Sequence, residues 1–451
     1  MAQHYSPQHY SPADLARLVF QSLSSAERRK QPQSVLVDLF ETMYFASFET
    51  DEGRPTAFEL VYLDPISMVS NHTSRQYWET VPLSQARPFS ISEAVKLSQA
   101  TDATSSAFAV YPDHDGVLQI WALVDLANRY RDFISYESLG SEETPGVFQA
   151  SVEGIGHLSV YSNSKRVAEL RAGKITTSVH EVLAGGRVKE LLTDSITKYI
   201  SDVEGVIPPD VPDYRDSWQT ILTDLWISAI KRILLRVQSF SHGGAFVITP
   251  DPQLTGLDVK YHLSYHRLTD ALIKRGVTWK ASIGYEDEIL EYLAKQRTHV
   301  PSNLVEQSLM ANVEGERAEE DLSGVIWFVA LLSRVDGCVV LDPNLVVRGF
   351  GAIIGFEEIV PAVMLSNSAE AEDAHLTQLD ASRFGSRHRS MMRYCFCARG
   401  SLGIVISQDG DVRMMTRVGD RLLLWDGVNL QRSEAFALAN RWPRSSRVRT
   451  N

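Results

Sequence analysis

Two short stretches in the last third of the sequence hold residue types suited to phosphate chemistry. The first is Asp336-Gly337-Cys338. A carboxylate can hold a hard divalent cation, and a glycine beside it lets the backbone approach a ligand closely. The second is Gly385-Ser386-Arg387-His388-Arg389, placed where a helix is expected to begin. A helix N-terminus presents free N–H groups and a partial positive charge to an anion. Ser386 adds a hydroxyl, and Arg387 and Arg389 add fixed cations suited to phosphate oxygens. Either stretch alone reads equally well as an ordinary turn. Together they describe a carboxylate–metal group and a polyphosphate cradle, the equipment of phosphoryl or nucleotidyl transfer.

The elements that must position these groups follow from hydrophobic spacing. Leu322, Val325, Ile326, Val329 and Ala330 share one face of a predicted helix that ends at Arg334-Val335-Asp336-Gly337. A strand is expected over 338–341, a turn at Asp342-Pro343-Asn344, and a second strand over 345–354 interrupted by Gly349 and Gly351. The polar stretch 366–380 reads as a surface loop. A helix is expected over 385–398, then strands over 403–407 and 412–417 joined across Asp409-Gly410, a hairpin signal. Upstream, 13–23 reads as a helix, 36–48 as a second apolar segment, and 57–63, 107–111 and 118–124 as strands. Helices are predicted over 188–203 and 218–238, the latter carrying Ile221, Leu222, Leu225, Trp226, Ala229, Ile230, Ile233 and Leu234 as an apolar stripe. His242-Gly243-Gly244 reads as a turn before a strand over 245–249, with backbone donors to a ligand as its other use. The polar, acidic segment 312–321 leads into the last unit.

At about 100–200 residues per domain, 451 residues imply two or three domains. The expected division is a flexible tail at 1–12, an α+β region over 13–165, its helical continuation over 166–300, a unit bearing the chemistry over 301–430, and a basic tail at 431–451. The expected fold class is α/β (α+β overall), with a C-terminal mixed β-sheet flanked by helices. A net charge of -12, from 44 Lys+Arg against 56 Asp+Glu, argues against a protein that coats nucleic acid through one broad basic face. It leaves room for a small cationic pocket. Three cysteines are too few for a disulfide framework. No apolar run approaches the roughly 18 residues of a membrane span, and the N-terminal MAQHYSPQHYSP lacks the basic and apolar regions of a signal peptide. The expectation is a cytoplasmic protein. Ala172-Gly173-Lys174-Ile175-Thr176 lacks the earlier glycine and the Ser or Thr after lysine that a phosphate-binding loop needs. No zinc spacing and no Gly-x-Ser-x-Gly elbow occur.

Taken in order, Asp336-Gly337, Gly349-Phe350-Gly351-Ala352, Gly385-Ser386-Arg387-His388-Arg389 and Ile404-Val405-Ile406-Ser407 resemble the motifs of diadenylate cyclase domains, over about residues 301–430. Those domains make cyclic di-AMP from two ATP. The region upstream resembles the probable sensor domain of DACNV type that precedes some of these cyclases, notably at Leu39 to Phe48, Asp51-Glu52-Gly53-Arg54-Pro55 and His242-Gly243-Gly244.

The first resemblance implies a sheet of diadenylate cyclase type, and with it a set of roles. Asp336 would bind Mg²⁺ or Mn²⁺ near the attacking ribose hydroxyl. Gly337 and Cys338 would pass close to the nucleotide through their backbone. Ser386, Arg387 and His388 would grip the triphosphate, with Gly385 opening and Arg389 supporting that loop. Ser407 would lie near the phosphates with Gln408 beside it. It also implies face-to-face self-association of two cyclase units, each holding one ATP, and a small-molecule or protein signal at the N-terminal region. Three positions depart from the family pattern. Cys338 stands for alanine, Ser386 for threonine, and Gln408 for a glutamate, with Asp409 one step later as a substitute. The segment 357–382 is longer than in compact members, a possible cover for the site. These departures keep two alternatives open: a catalytically degenerate nucleotide-binding sensor or scaffold, and a cyclase making a different cyclic dinucleotide.

Overall fold

A computed structural model describes residues 9–66, 79–101, 105–125, 148–162, 165–171, 173–176, 181–212, 218–240, 242–295, 299–408 and 410–430. The chain divides into two compact units at Val179/His180. Residues 1–8 of the expected N-terminal tail, Asp409, and the basic tail from 431 on lie outside the described residues.

The N-terminal unit opens with helices α1 (Pro12–Ser22), α2 (Ser25–Lys30) and α3 (Gln33–Ala46). Residues 9–12, expected in the tail, are ordered in this unit. Tyr10 N–H donates to Gly173 O at 2.8 Å, and Ser11 forms a capping box with Asp14 that satisfies two otherwise orphaned donors. A two-residue pair, β1 (Thr50–Asp51) and β2 (Arg54–Pro55), turns through Glu52 and Gly53, both in the left-handed region. Then come β3 (Phe58–Tyr62), β4 (Glu79–Pro88), α4 (Ile91–Ser98), β5 (Ser106–Pro112), β6 (Leu118–Asp125), β7 (Phe148–Gly154), β8 (His157–Ser162), β9 (Lys165–Arg171) and β10 (Lys174–Thr176). Eight strands form one sheet in the order β10-β9-β8-β7-β3-β5-β6-β4, with β3 and β5 its parallel pair. Gly173 and Lys174, the false phosphate loop, sit at the β9–β10 reversal. Alternate strand residues such as Phe58, Leu60, Ala150 and Val152 pack against Leu15, Val19, Leu39, Phe40 and Met43 of α1 and α3. Each such fully buried aliphatic or aromatic side chain contributes about 1.5–3 kcal/mol.

The C-terminal unit begins with α5 (Gly186–Glu204) and α6 (Trp218–Ser239), then β11 (Gly244–Ile248), β12 (Leu257–Tyr265) and two long helices, α7 (Arg267–Ala294) and α8 (Ser302–Leu332). It continues with β13 (Cys338–Leu341), β14 (Val347–Ile354), β15 (Val363–Ser366), β16 (Leu376–Leu379), α9 (Ser386–Cys397), β17 (Leu402–Ile406), β18 (Val412–Val418) and β19 (Arg421–Trp425). The nine strands run in the order β12-β14-β13-β11-β17-β18-β19-β15-β16. β11 pairs parallel with β13, β15 pairs parallel with β19, and the other pairings are antiparallel, so the sheet is mixed as expected. Period-two alternation sends Phe246, Ile248, Val339, Leu341, Ile404 and Ile406 toward α5–α8, and Ala245, Val247, Val340 and Val405 toward Met391, Met392 and Tyr394 of α9.

Three expectations are corrected here. The boundary at 165 moves, because β9 and β10 complete the first sheet. The boundary at 300 also moves, because β11 is a central strand of the second sheet and α5–α8 cover that sheet, so 181–300 belong with the C-terminal unit. The stretch 366–380 is no free loop. β16 pairs with β15 at the edge far from β13, so the segment 357–382 extends the sheet there. The acidic segment 312–321 is the middle of α8, where Glu319 sits between Arg232 and Arg275 at 2.7 and 2.9 Å and ties α6 and α7 to α8.

Candidate functional site

Strand register brings the separate motifs to one edge of the C-terminal sheet. Phe246 pairs in parallel with Val339, and Gly244 pairs antiparallel with Ile406. The starts of β13 and β11 and the end of β17 therefore share an edge. With neighbouring strands ~4.8 Å apart, Asp336, Gly243 and Ser407 fall within about 10 Å along that edge. The N-terminus of α9 lies over the same place. A β-carbon built at Gly243 would come within 3.2 Å of Arg387 Nη1, 3.2 Å of Gln408 N and 2.7 Å of Ile406 O. Gly243, with φ of +73°, is thus where the Arg387 guanidinium and the β17 backbone close on β11, and only hydrogen fits.

Asp336 is exposed, and among the described residues its carboxylate has no ion-pair or hydrogen-bond partner. Its position is fixed through Gly337, whose φ of +112° would be strained for any other residue. A β-carbon at Gly337 would meet Gly351 C at 2.5 Å and Ala352 N at 2.8 Å. The Gly-Phe-Gly-Ala stretch of β14 is therefore a seat for the Asp-Gly turn, built by backbone contact. A free carboxylate at this edge fits the way Mg²⁺ or Mn²⁺ is held with substrate phosphates, where one or two protein carboxylates suffice. The Cys338 thiol points into the α9-side core, and burial pushes it up to about 12. It is a neutral packing group, and only the backbone of this residue faces the edge.

Gly385 is the N-cap of α9 and supplies no side-chain cap, so the first N–H groups of the helix, from Ser386 onward, keep their orphan character. Ser386 and Arg389 are exposed and Arg387 half-buried; among the described residues neither arginine has an ion-pair partner. The Arg389 backbone N–H makes the ordinary first-turn helix bond to Gly385 O at 3.1 Å. Ser407 lies just past β17 and fastens the turn. Its Oγ accepts from Asp411 N–H at 3.0 Å, and its own N–H donates to Asp411 O at 2.9 Å. Gln408 is exposed beside it.

His388 has surroundings that sequence reasoning did not supply. Its Nε2 lies 3.1 Å from Arg413 Nη1 of β18, and its ring sits 5.5 Å from that of Phe384. Arg413 is itself fixed by Asp426 at 2.8 Å and Asp411 at 3.5 Å. Burial, then the Arg413 charge, hold the imidazole down to about 4, with Arg387 acting in the same sense and Asp426 against it. At neutral pH the ring is uncharged, accepts at Nε2 and keeps its Nδ1–H as a donor. Arg413 and Asp426 carried no sequence signal, since their role depends on β18 pairing beside β17 and beneath α9. A second surface also escaped the sequence. Tyr261 of β12 stacks on Phe350 of β14 with centroids 4.8 Å apart and planes 20° apart, next to Gly351.

Among the described residues, one group of three ligand-type side chains lies close enough to share a cation: Asp113, His114 and Asp115 in the β5–β6 turn. Asp113 already accepts from Asp115 N–H, Val117 N–H and Gln119 Nε2, which is ordinary turn chemistry. No helix of the described residues is long and apolar enough to cross a membrane.

Comparison with known proteins identifies one part of the chain. A family model described as Probable sensor domain DACNV matches residues 26–125, within the N-terminal unit. The match stops well before His242-Gly243-Gly244, which the sequence resemblance assigns to the sensor and which the structure places at the start of β11 in the C-terminal unit. A search of curated proteins found no match.

Proposed function

We propose that the protein is a diadenylate cyclase whose C-terminal unit condenses two ATP into cyclic di-AMP and two pyrophosphate, under control of the N-terminal sensor domain. The observation that carries this reading is the gathering of Asp336–Gly337, Gly243, Ser407–Gln408 and Arg387–His388 on one sheet edge. The matched sensor family supports it, because such domains are typically found N-terminal to diadenylate cyclases.

In this reading the 3′-oxygen of one ATP attacks the α-phosphorus of the other, the bond to the bridging oxygen breaks, and pyrophosphate leaves. The reaction repeats with the roles exchanged. Ser386, Arg387 and the α9 N–H groups bind the β- and γ-phosphates, where negative charge grows as pyrophosphate departs. Neutral His388 donates its Nδ1–H to a phosphate oxygen, held in that tautomer by Arg413. Asp336 and the backbone of Gly337 and Cys338 orient the ribose hydroxyl, and Tyr261 over Phe350 offers a stacking face for adenine. Mg²⁺ or Mn²⁺ at Asp336 would supply charge neutralisation and a lowered hydroxyl pKa. Because each unit offers one such edge and the product is two-fold symmetric, two units face each other in the active form.

One observation favours a second reading, a degenerate nucleotide-binding module: exposed Gln408 stands where the family has glutamate. Mass spectrometry of products from the purified chain with ATP and Mn²⁺ separates the two. Cyclic di-AMP is expected, and Asp336→Asn is expected to lower its rate by about a thousandfold or more. ATP binding without dinucleotide or pyrophosphate over hours, with either metal, would establish the degenerate module instead. Supplying all four nucleoside triphosphates together tests base choice.

A further inference from the structure

α7 and α8 are longer than the core they cover. That core takes Leu268, Ala271 and Leu272 from the start of α7, and the apolar positions from Leu322 onward in α8. No side chain of 278–294 or 302–321 belongs to it; these stretches run on as a helical hairpin. The inner side of the hairpin is accounted for. α8 buries Leu304, Ser308, Gly315 and Ala318. Beside them Asn312 donates to Glu286 at 3.2 Å and accepts from Ser282, and Glu319 accepts from Arg275 at 2.9 Å, all on α7.

The outer side of α8 is open to solvent and apolar. Val305, Leu309 and Val313 are four residues apart, so they form one row along the helix, and all three are exposed, Leu309 at 61%. Met310 borders the row and is 58% exposed. On α7, Leu290 and Leu293 continue the side that carries Ser282 and Glu286, which brings them beside the same row near the hairpin tip. Both are exposed, Leu293 at 55%. Apolar side chains exposed singly need no explanation, whereas six gathered in one place mark a contact surface.

The order of the row states what covers it. Val305-Leu309-Val313 reads the same in both directions about Leu309. A second α8 laid antiparallel therefore sets Leu309 on Leu309 and each Val305 on Val313, the self-complementary match that a two-fold contact requires. The charges agree. In this register Glu306 faces Asn312 and Glu316 faces Ser302, whereas laid parallel each glutamate would face itself. α8 also begins without a side-chain cap or an acidic residue in its first turn. Glu316 of the second copy falls there, where a carboxylate stabilises the free N–H groups. We propose that the α7–α8 hairpins of two copies of this chain dock as an antiparallel four-helix bundle with Leu309 on the two-fold axis. A shallow crossing of about 20° with axes about 8–10 Å apart suits such a bundle. Leu309 lies some 35 Å along α8 from the sheet edge that holds Asp336. The contact thus leaves that edge free and does not rest on the cyclase reading.

Cysteine cross-linking and light scattering of the full chain, without ATP, test the contact. On air oxidation Leu309→Cys is expected to form a disulfide with its own counterpart. A mixture of Val305→Cys and Val313→Cys proteins should cross-link as well, while Val305→Cys alone, and Gln307→Cys on the far side of α8, should not. Leu309→Glu sets two carboxylates against each other on the axis. It is expected to halve the mass of the assembly and raise its dissociation constant about a hundredfold or more, with the urea midpoint unchanged because the position is exposed. Asp336→Asn should associate like the unaltered chain, so the result stands apart from whether the C-terminal unit is a cyclase. A monomeric chain at every concentration, no Leu309→Cys cross-link beyond that of Gln307→Cys, or an unchanged mass for Leu309→Glu would overturn the proposal. Slow thiol labelling of Leu309→Cys in such a monomer would assign the row to a segment of the same chain instead.

Discussion

The two sheets place their polar chemistry differently. In the C-terminal unit helices pack on both faces of the central strands, and the candidate site forms where β13 and β11 start and β17 ends. Its parts are backbone N–H groups, a free carboxylate and cations that reach outward. In the N-terminal unit one face is covered by helices, and Glu59, Gln149 and Ser159 are buried on the other. An edge of this kind suits a large, charged, solvated substrate such as a nucleoside triphosphate.

The comparison breaks most directly at Gly243. Gly243→Val puts a branched side chain at φ +73° and against Ile406 O, so it is expected to cost about 1–3 kcal/mol of backbone strain. The displaced Arg387 should lower nucleotide affinity by a hundredfold or more, measured by titration with ATP. Unaltered ATP binding by Gly243→Val would separate α9 from β11 and dissolve the site. Next in size is the Glu319 network, which joins the helices on the opposite face. Glu319→Gln leaves Arg232 and Arg275, with side chains 8% and 3% exposed, without a counter-charge. A loss of about 3–5 kcal/mol is expected in urea unfolding.

Acid and base should separate the two units. Burial works to raise Glu319, but Arg232 and then Arg275 outweigh it and hold its pKa below the ordinary value. The stability it contributes is therefore complete above about pH 4.5 and lost as pH falls through the lowered value. His388 acts in the same sense. Its folded value of about 4 lies below the unfolded 6.5, so stability declines as pH falls between them. NMR of the imidazole should show a neutral ring with Nε2 as acceptor down to about pH 5. Arg413→Ala should raise the titration midpoint, whereas Arg413→Lys should keep it low. Glu59 acts oppositely. Its folded value near 8 exceeds the unfolded 4.5, so stability falls as pH rises between them. Glu59→Gln is expected to flatten that slope and raise the melting temperature near pH 8 by a few degrees, the smallest of these effects.

What the sequence disclosed depended on whether the relevant physics was local. The α6 stripe, the β17–β18 hairpin and the start of α9 at Gly385 all follow from periodicity or turn chemistry within a dozen residues, and the structure has them. The Asp336 and Arg387 stretches were recognisable because their residue types are unusual side by side. β12, α7 and β19 were missed. α7 mixes polar residues around its whole girth, so 3.6-residue periodicity is weak there, and it leaves Leu290 and Leu293 exposed. Glu319 looked like part of a solvated acidic segment because its partners, Arg232 and Arg275, are distant in sequence. Arg413 could not be read for the same reason, since it meets His388 only after three elements pack together.

β11 has a further consequence for how this chain can be divided and reused. It lies between β13 and β17, yet it precedes both long helices in the chain. A gene fragment starting at residue 301 would carry every motif that resembles a cyclase and still lack the strand that joins its two halves. The portable unit begins near residue 181. Moving the C-terminal unit to another protein would mean cutting upstream of α5, so the unit carries with it some 120 residues that its motifs alone do not mark.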